Sequence, residues 1–236
     1  MTRPLVSCVV PAYNSSRYVA EALDSILAQT YSNLEVIVAD DGSTDDTATI
    51  VRRYGDRVSY VQQETQGPAA TRNLGARSAT GEFLAFLDAD DLWHAEKVER
   101  QLDRFAASPG IEACVTHAKL FWVGQLEHEA LAYRDNPRSQ PVPGYATTTL
   151  MARRSLFDRI GDFRTDLWFS DATEWFIRAR ESGVRVELIP DVLTYHRMHE
   201  ENLTRRRSEA SKAEFARIVG ESLVRRRASG VQPMNP

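Results

Sequence analysis

At 236 residues and 42% hydrophobic content, the chain can bury a sizeable core as one large domain, or one domain with a small appendage. A formal charge of -4 and a pI near 5.8 argue against any overall attraction for nucleic acid. The two cysteines, Cys8 and Cys114, each sit inside an apolar run, which speaks against a disulfide framework or a thiolate metal site.

In chain order, the first half alternates short β-branched runs with amphipathic stretches, the pattern of βα units in a mostly parallel sheet. Leu5 to Val10 predicts a strand, followed by a helix bearing Val19, Leu23, Ile26 and Leu27 at helical spacing, with Ser15 or Ser16 as N-cap. Leu34 to Ala39 predicts a second strand. Asp41-Gly42 then turns the chain, Ser43 or Thr44 caps, and a helix is expected to run to about Tyr54. Val58 to Val61 is a short strand, and Pro68 opens a helix that closes at Thr80-Gly81. Phe83 to Leu87 reads as a strand buried on both faces, and His94 to about Ala107 as a helix. Glu112 to Thr116 and Leu120 to Val123 read as two further strands.

From about Gly124 to Gly144 the periodicity dissolves into a polar, proline-containing segment, expected to be a working loop. A short helix follows near Arg153 to Ile160, then a helix from Asp171 to Ser182 and strands at Val184 to Ile189 and Val192 to Tyr195. A final helix spans Ser208 to about Arg227, ahead of the tail ASGVQPMNP. The arginine clusters at Arg205 to Arg207 and Arg225 to Arg227 read as solvated helix faces, with peripheral contact at an anionic membrane as the alternative. No segment reaches the roughly 18 apolar residues of a transmembrane span, and the N-terminal MTRPLVSCVVPAYN lacks a signal h-region. The expected location is the cytoplasm.

Ligands of open parallel sheets bind beyond the carboxyl ends of the strands. Three such ends carry polar residues here: Pro11-Ala12-Tyr13-Asn14, Asp40-Asp41-Gly42-Ser43 and Asp88-Ala89-Asp90-Asp91. Asp-Gly-Ser-Thr is also ordinary turn chemistry. Asp88, Asp90 and Asp91 are different, because three neighbouring carboxylates repel and a divalent ion would relieve them. Oxygen ligands favour Mg²⁺ or Mn²⁺, ions that typically share phosphate oxygens with a substrate. Neither GxGxxG after the first strand nor GxxxxGK[ST] occurs, so a nucleotide would be held mainly by metal and side-chain cations. Arg72 and Arg77 are candidates, the latter more simply a surface salt bridge.

VVPAYN, DDGSTDDT, AATRNLGARSATGEFLAFLDADD and SDATEWFIRARESG, in this order over about residues 4 to 204, resemble a family 2 glycosyltransferase of the GT-A fold. The resemblance implies an α/β, Rossmann-like, mostly parallel sheet flanked by helices, with a nucleotide-binding half at about 1–117 and an acceptor-side half at about 118–204. Residues 205–236 would add a C-terminal helix and tail. It also implies a nucleotide-diphosphate sugar donor, UDP-linked by default, an Mn²⁺ or Mg²⁺ ion held through a DxD motif, and inversion at the anomeric carbon. Pro11, Tyr13 and Asp41 match positions that hold the nucleobase, and Arg72 one that contacts base or phosphate. Asp88 falls toward the ribose and Asp90 toward the metal, with Asp91 an alternative metal ligand.

The family's late Glu-Asp pair corresponds to Ser170-Asp171, leaving Asp171 as the candidate base and Glu174 as its rival. YHRMHEENLT resembles a His-x-x-Asn segment that would bring His199 and Asn202 to the phosphates or metal. The acceptor could be a glycan, lipid, peptide or small molecule. A sugar nucleotidyltransferase would need a glycine-rich basic loop after the first strand, which VVPAYNSSRY does not supply. A sugar-nucleotide-binding protein with impaired catalysis is the alternative that Ser170 suggests.

Overall fold

The computed structural model describes residues 3–133, 140–206 and 209–228. Residues 134–139 of the expected working loop, Arg207, Ser208 and the tail from 229 lie outside them. β1 (Val6–Ala12), β2 (Leu34–Asp40), β3 (Ser59–Gln62) and β4 (Phe83–Phe86) form the parallel half of the sheet in the order β3-β2-β1-β4. The chain then departs from the expected pattern. β8 (Met151–Arg153) inserts antiparallel between β4 and β6 (Ala113–Trp122), and β9 (Val186–Met198) lies parallel to β6. β5 (Leu92–Trp93) closes the far edge antiparallel to β9, and β7 (Val142–Pro143) pairs with β6. The sheet is therefore mixed rather than mostly parallel.

Period-two side-chain alternation splits the core into two layers. Val6, Cys8 and Val10 of β1 face one way, against α1 (Val19–Leu27), α2 (Thr47–Arg52) and α4 (Lys97–Ala107). Val9, Ile37, Leu84 and Phe86 face the other way, against α3 (Pro68–Ser78), α6 (Arg154–Ile160) and α7 (Asp171–Glu181). Both cysteines are free and buried among these residues, as expected. A Cβ on Gly75 would collide with Val9, so the missing side chain lets α3 lie flush on β1.

Several local expectations are corrected. β6 and β9 are single long strands where the sequence reads as two pairs. The breaks, Thr116-His117-Ala118 and Pro190-Asp191, are register shifts: Thr116 faces Ile189 and His117 faces Val192. Pro190, without an N–H, sits in that irregularity instead of ending the strand. The short strands β5, β7 and β8 carry too few residues to show alternation.

Helix α2 begins at Thr47 instead of Ser43 or Thr44, because those residues serve the neighbouring loop. Asn14 N–H donates to Ser43 Oγ (2.8 Å), Thr44 N–H to Asn14 Oδ1 (2.9 Å), and Ser16 N–H to Asp45 Oδ2 (2.9 Å). Neither Ser15 nor Ser16 caps α1 with its side chain; the Ser15 carbonyl accepts from Val19 N–H (3.0 Å). The segment after β6 holds a short helix, α5 (Glu127–Ala132), and the last helix is α8 (Glu209–Ala228). No helix among the described residues is long and apolar enough to cross a membrane.

Candidate functional site

The parallel register places the carboxyl ends of β1, β2 and β4 on one rim: Ala12 faces Asp40, Val9 faces Phe86, and Leu87 N–H donates to Val9 O (3.0 Å). Pro11 is half-buried at the end of β1, and Tyr13 just beyond it is 54% exposed. Asp41 is buried and committed to protein groups. Its Oδ1 accepts from Gln63 Nε2 (2.7 Å) and Gln66 N–H (2.9 Å), and its Oδ2 from Gly67 N–H (2.8 Å). Gly67, at φ +95°, then turns the chain into α3. Asp41 thus folds the 63–67 loop, while its own N–H donates to Ala12 O (2.9 Å) at the end of β1.

Gly75 seats α3 against the sheet, and Arg72, one turn earlier, reaches across the rim. Its Nη2 donates to Asp88 Oδ1 (2.9 Å) and its Nη1 to Asp171 Oδ2 (2.7 Å). Both carboxylates hold the guanidinium charge in place against burial, and its buried Nε has no hydrogen-bond partner among the described residues. Asp171 opens α7, where a carboxylate suits the positive end of the helix. Ser170, in the place of the usual glutamate, is buried and contributes its carbonyl to Glu174 N–H (2.9 Å).

Glu174 is 1% exposed and binds Arg178 Nε through both oxygens (3.0 and 2.8 Å), while Arg178 Nη2 donates to Asp162 O (2.6 Å). That carboxylate ties α7 to the preceding loop, so Asp171 is the one of the two facing the rim cluster.

The acidic stretch does not carry three unrelieved charges. Asp88 meets Arg72. Asp90 Oδ2 meets His199 Nε2 (2.9 Å) and Asn202 Nδ2 (3.2 Å). Asp91, fully buried, accepts from Arg197 N–H (3.0 Å) and pairs with His196 Nδ1 (2.9 Å). Burial pushes the Asp91 carboxyl up, and the Asp91 charge in turn raises His196. Burial alone would raise Asp90 as well, but the His199 hydrogen bond and the nearby His196 and His199 charges hold it below the usual carboxylate range.

Repulsion among the aspartates is thus answered by the Arg72 guanidinium and by hydrogen bonds from His196, His199, Asn202 and the Arg197 N–H, which weakens crowding alone as evidence for a metal. Among the described residues, no group of three His, Cys, Asp or Glu side chains is already arranged to hold an ion. The donor types nevertheless suit Mn²⁺ or Mg²⁺: Asp88 and Asp90 keep 30% and 28% of their side chains exposed, with His199 beside them.

Arg197 is the residue that sequence reasoning passes over. Its Nε donates to the Asp90 carbonyl (2.8 Å), its Nη2 to Glu21 (2.7 Å), and its guanidinium lies 4.5 Å from the Tyr18 ring centre. Tyr18 also stacks at a tilt on His199, centroids 4.9 Å apart. The alternation of Tyr195 and Arg197 at the end of β9, continued by His199 just beyond it, is the signal that could have found it. Trp175 is a core residue, whereas Trp168 and Tyr145 are about half exposed and present rings on which a sugar could stack. Arg77 forms an exposed salt bridge with Asp162, as expected.

The model of the family described as Glycosyl transferase family 2 matches residues 7–165. An uncharacterized glycosyltransferase of Rickettsia typhi is 32% identical over 213 residues, 85% of this chain and 66% of that protein. The mannosyltransferase PcManGT from Pyrobaculum calidifontis, in complex with GDP-Man and Mn²⁺, matches with a TM-score of 0.68 and 25% identity, covering 100% of this chain and 66% of that one. S. aureus TarS 1-349 in complex with UDP-GlcNAc matches with a TM-score of 0.68 at 24% identity, over 86% and 61% of the two chains, a likeness of fold. The chain therefore spans about two thirds or less of the length of these relatives. The α/β GT-A architecture expected from the motifs is the architecture observed.

Proposed function

The chain belongs to glycosyl transferase family 2, and on that premise we propose that it moves a sugar from a nucleotide-diphosphate donor onto an acceptor hydroxyl, with inversion. The observation that carries this reading is the Arg72 fork, which joins a carboxylate of the nucleotide rim, Asp88, to a carboxylate at the head of α7, Asp171. Tyr13 offers an exposed ring to the nucleobase beside Pro11, and Asp41 shapes the 63–67 loop at the end of the neighbouring strand. Asp88 lies toward the ribose. PcManGT is complexed with GDP-Man and TarS with UDP-GlcNAc, so both bases are reasonable donors to test, UDP first.

In the reaction, Asp171 accepts the proton of the acceptor hydroxyl as its oxygen attacks the anomeric carbon. The bond from that carbon to the diphosphate oxygen breaks, and its electron pair leaves with the nucleotide. A carboxylate base so placed typically contributes about 10² to 10⁴-fold. Asp90 and His199 are the residues that would hold a divalent ion, with Asp91 behind them as a buried support. When bound, such an ion supplies Lewis-acid neutralisation of the departing diphosphate. Arg72, cationic throughout, can exchange Asp88 for a phosphate oxygen while keeping Asp171 oriented.

The test is a panel of UDP- and GDP-sugars with Mn²⁺ or Mg²⁺, scored for release of the free nucleoside diphosphate, with acceptor mixtures added. Release that Asp171→Asn abolishes supports the transferase. Donor binding with no turnover in either protein would instead support the catalytically impaired binding protein that Ser170 suggests.

A further inference from the structure

Trp168 stands half exposed where the donor side meets the head of α7. Its ring lies along Gly67: a Cβ built on that glycine would meet two atoms of the indole at 3.4 Å. Gly67 is the N-cap of α3, and its N–H donates to Asp41 Oδ2 (2.8 Å). Further along α3, Arg72 binds Asp171, which follows Trp168 by three residues. Three residues span at most about 11 Å, so the indole and the proposed base share one short stretch that touches α3 at both ends. Glu214 of α8 fixes this stretch from the other side, accepting from the backbone N–H of Trp168 and Phe169 (3.0 Å each). Those bonds use main-chain atoms only. The indole N–H makes no hydrogen bond among the described residues.

We propose that Trp168 is the platform for the acceptor and that the acceptor is a saccharide, with the C–H face of a pyranose on the indole and a hydroxyl at Asp171. The inference rests on Asp171 as the base of the proposed transfer and names the class of compound that supplies the hydroxyl. That compound must bring an oxygen within hydrogen-bond reach of Asp171, so the rest of it extends over the neighbouring residues. Their chemistry decides the class. Leu167 is buried, and the groups around Trp168 are charged: Arg164 pairs with Asp166 and Glu221, and Arg217 with Asp166. A lipid tail requires a continuous apolar surface, which a lone ring among charges does not supply. An extended peptide pairs with the main-chain edge of a strand, and residues 161–170 form none. A flat ring with a free N–H at its edge suits a pyranose, which offers both an apolar face and hydroxyls. Tyr145, also about half exposed, packs edge-on against Phe176 in the middle of α7 (5.7 Å between centroids) and not at its head.

Saturation-transfer NMR on the full chain with UDP or GDP bound tests this without turnover. Methyl glycosides of glucose, mannose and galactose are compared with ribitol, a serine-containing peptide and a long-chain alcohol. Transfer from the protein to the ring C–H protons of at least one glycoside is expected. Trp168→Ala should weaken that binding about tenfold, the scale of one aromatic face buried, and Trp168→Phe about threefold at most. Both variants keep the main-chain bonds to Glu214, so both should fold. With a glycoside that accepts the sugar, the loss in Trp168→Ala should fall on the acceptor KM and not on kcat. No glycoside binding, equal binding by the parent and Trp168→Ala, or a preference for the polyol, peptide or alcohol would each overturn the proposal. So would an equal loss of donor affinity in Trp168→Ala, which would mean that the indole only supports the turn at Gly67. Glycoside binding that needs Trp168, without donor turnover in any mixture, would sink the transferase and leave the saccharide platform standing.

Discussion

Arg72 and Asp171 lie 99 residues apart in the chain and 2.7 Å apart in the fold, with 10% and 8% of their side chains exposed. The same guanidinium reaches Asp88, so one side chain from α3 spans the nucleotide rim and the start of α7. Removing it leaves the buried Asp171 carboxylate and the partly exposed Asp88 carboxylate without their shared counter-charge. Arg72→Ala should therefore cost about 3 kcal/mol or more in urea unfolding. Arg72→Lys should fold better yet turn over poorly, because one ammonium cannot make the planar fork. Equal activity of Arg72→Lys and the parent would contradict a bridging role.

Asp90 and Asp91 are neighbours with opposite expected phenotypes. Asp91 is fully buried between His196 and the Arg197 N–H, whereas Asp90 keeps a partly exposed carboxylate. Asp90→Asn should remove the enhancement of donor binding by Mn²⁺ in calorimetry and leave the melting temperature nearly unchanged. Asp91→Asn should lower stability by about 1 to 3 kcal/mol, since it strips the half-buried His196 imidazolium of its fully buried partner. EDTA should reproduce the Asp90→Asn binding defect in the parent chain. A reversal of the two phenotypes would move the metal role to Asp91.

The closeness of α3 to β1 makes its own prediction. A methyl at Gly75 meets Val9 with no free space, so Gly75→Ala should destabilise by about 1 to 3 kcal/mol despite alanine's better helix propensity. Because α3 carries Arg72, donor affinity should fall with it. Val9→Ala in the same chain should recover part of both losses, measured by thermal melts and donor titration.

How much of this was legible beforehand follows from the range of the interactions. Strands β1, β2 and β4 and helix α3 announce themselves through local periodicity and punctuation, and their parallel order brings Tyr13, Asp41 and Asp88 to one rim. The partners of the aspartates are not local. Asp91 meets His196 across 105 residues and Asp90 meets His199 across 109, distances at which composition carries no pairing signal. The aspartate cluster therefore reads as unrelieved charge in sequence and as a set of paired groups in the fold. Glu174 is the contrary case: its partner Arg178 lies one helical turn along α7, so the four-residue spacing itself carries the pairing. Strand β8 escapes notice because three residues cannot display a period.

Lys97 gives the chain a pH dependence that can be worked out in sign. It is fully buried on α4, donates to Gln101 Oε1 (2.7 Å) and stands 4.1 Å from the centre of the Trp93 ring. Burial pushes its ammonium down from 10.5 to about 7, against the pull of the nearby Cys114 and Cys8. The unfolded chain then binds the proton more tightly than the folded one. Below about pH 7 both states hold it and the burial penalty is complete; between about 7 and 10.5 the folded state sheds it first, and stability rises with pH. The slope from this group is at most about 1.4 kcal/mol per pH unit. Urea unfolding at several pH values should show the parent gaining on Lys97→Met across that window and running parallel to it below. A difference that stays constant from acid to base would mean that Lys97 keeps its proton in the core, held by Trp93 and Gln101.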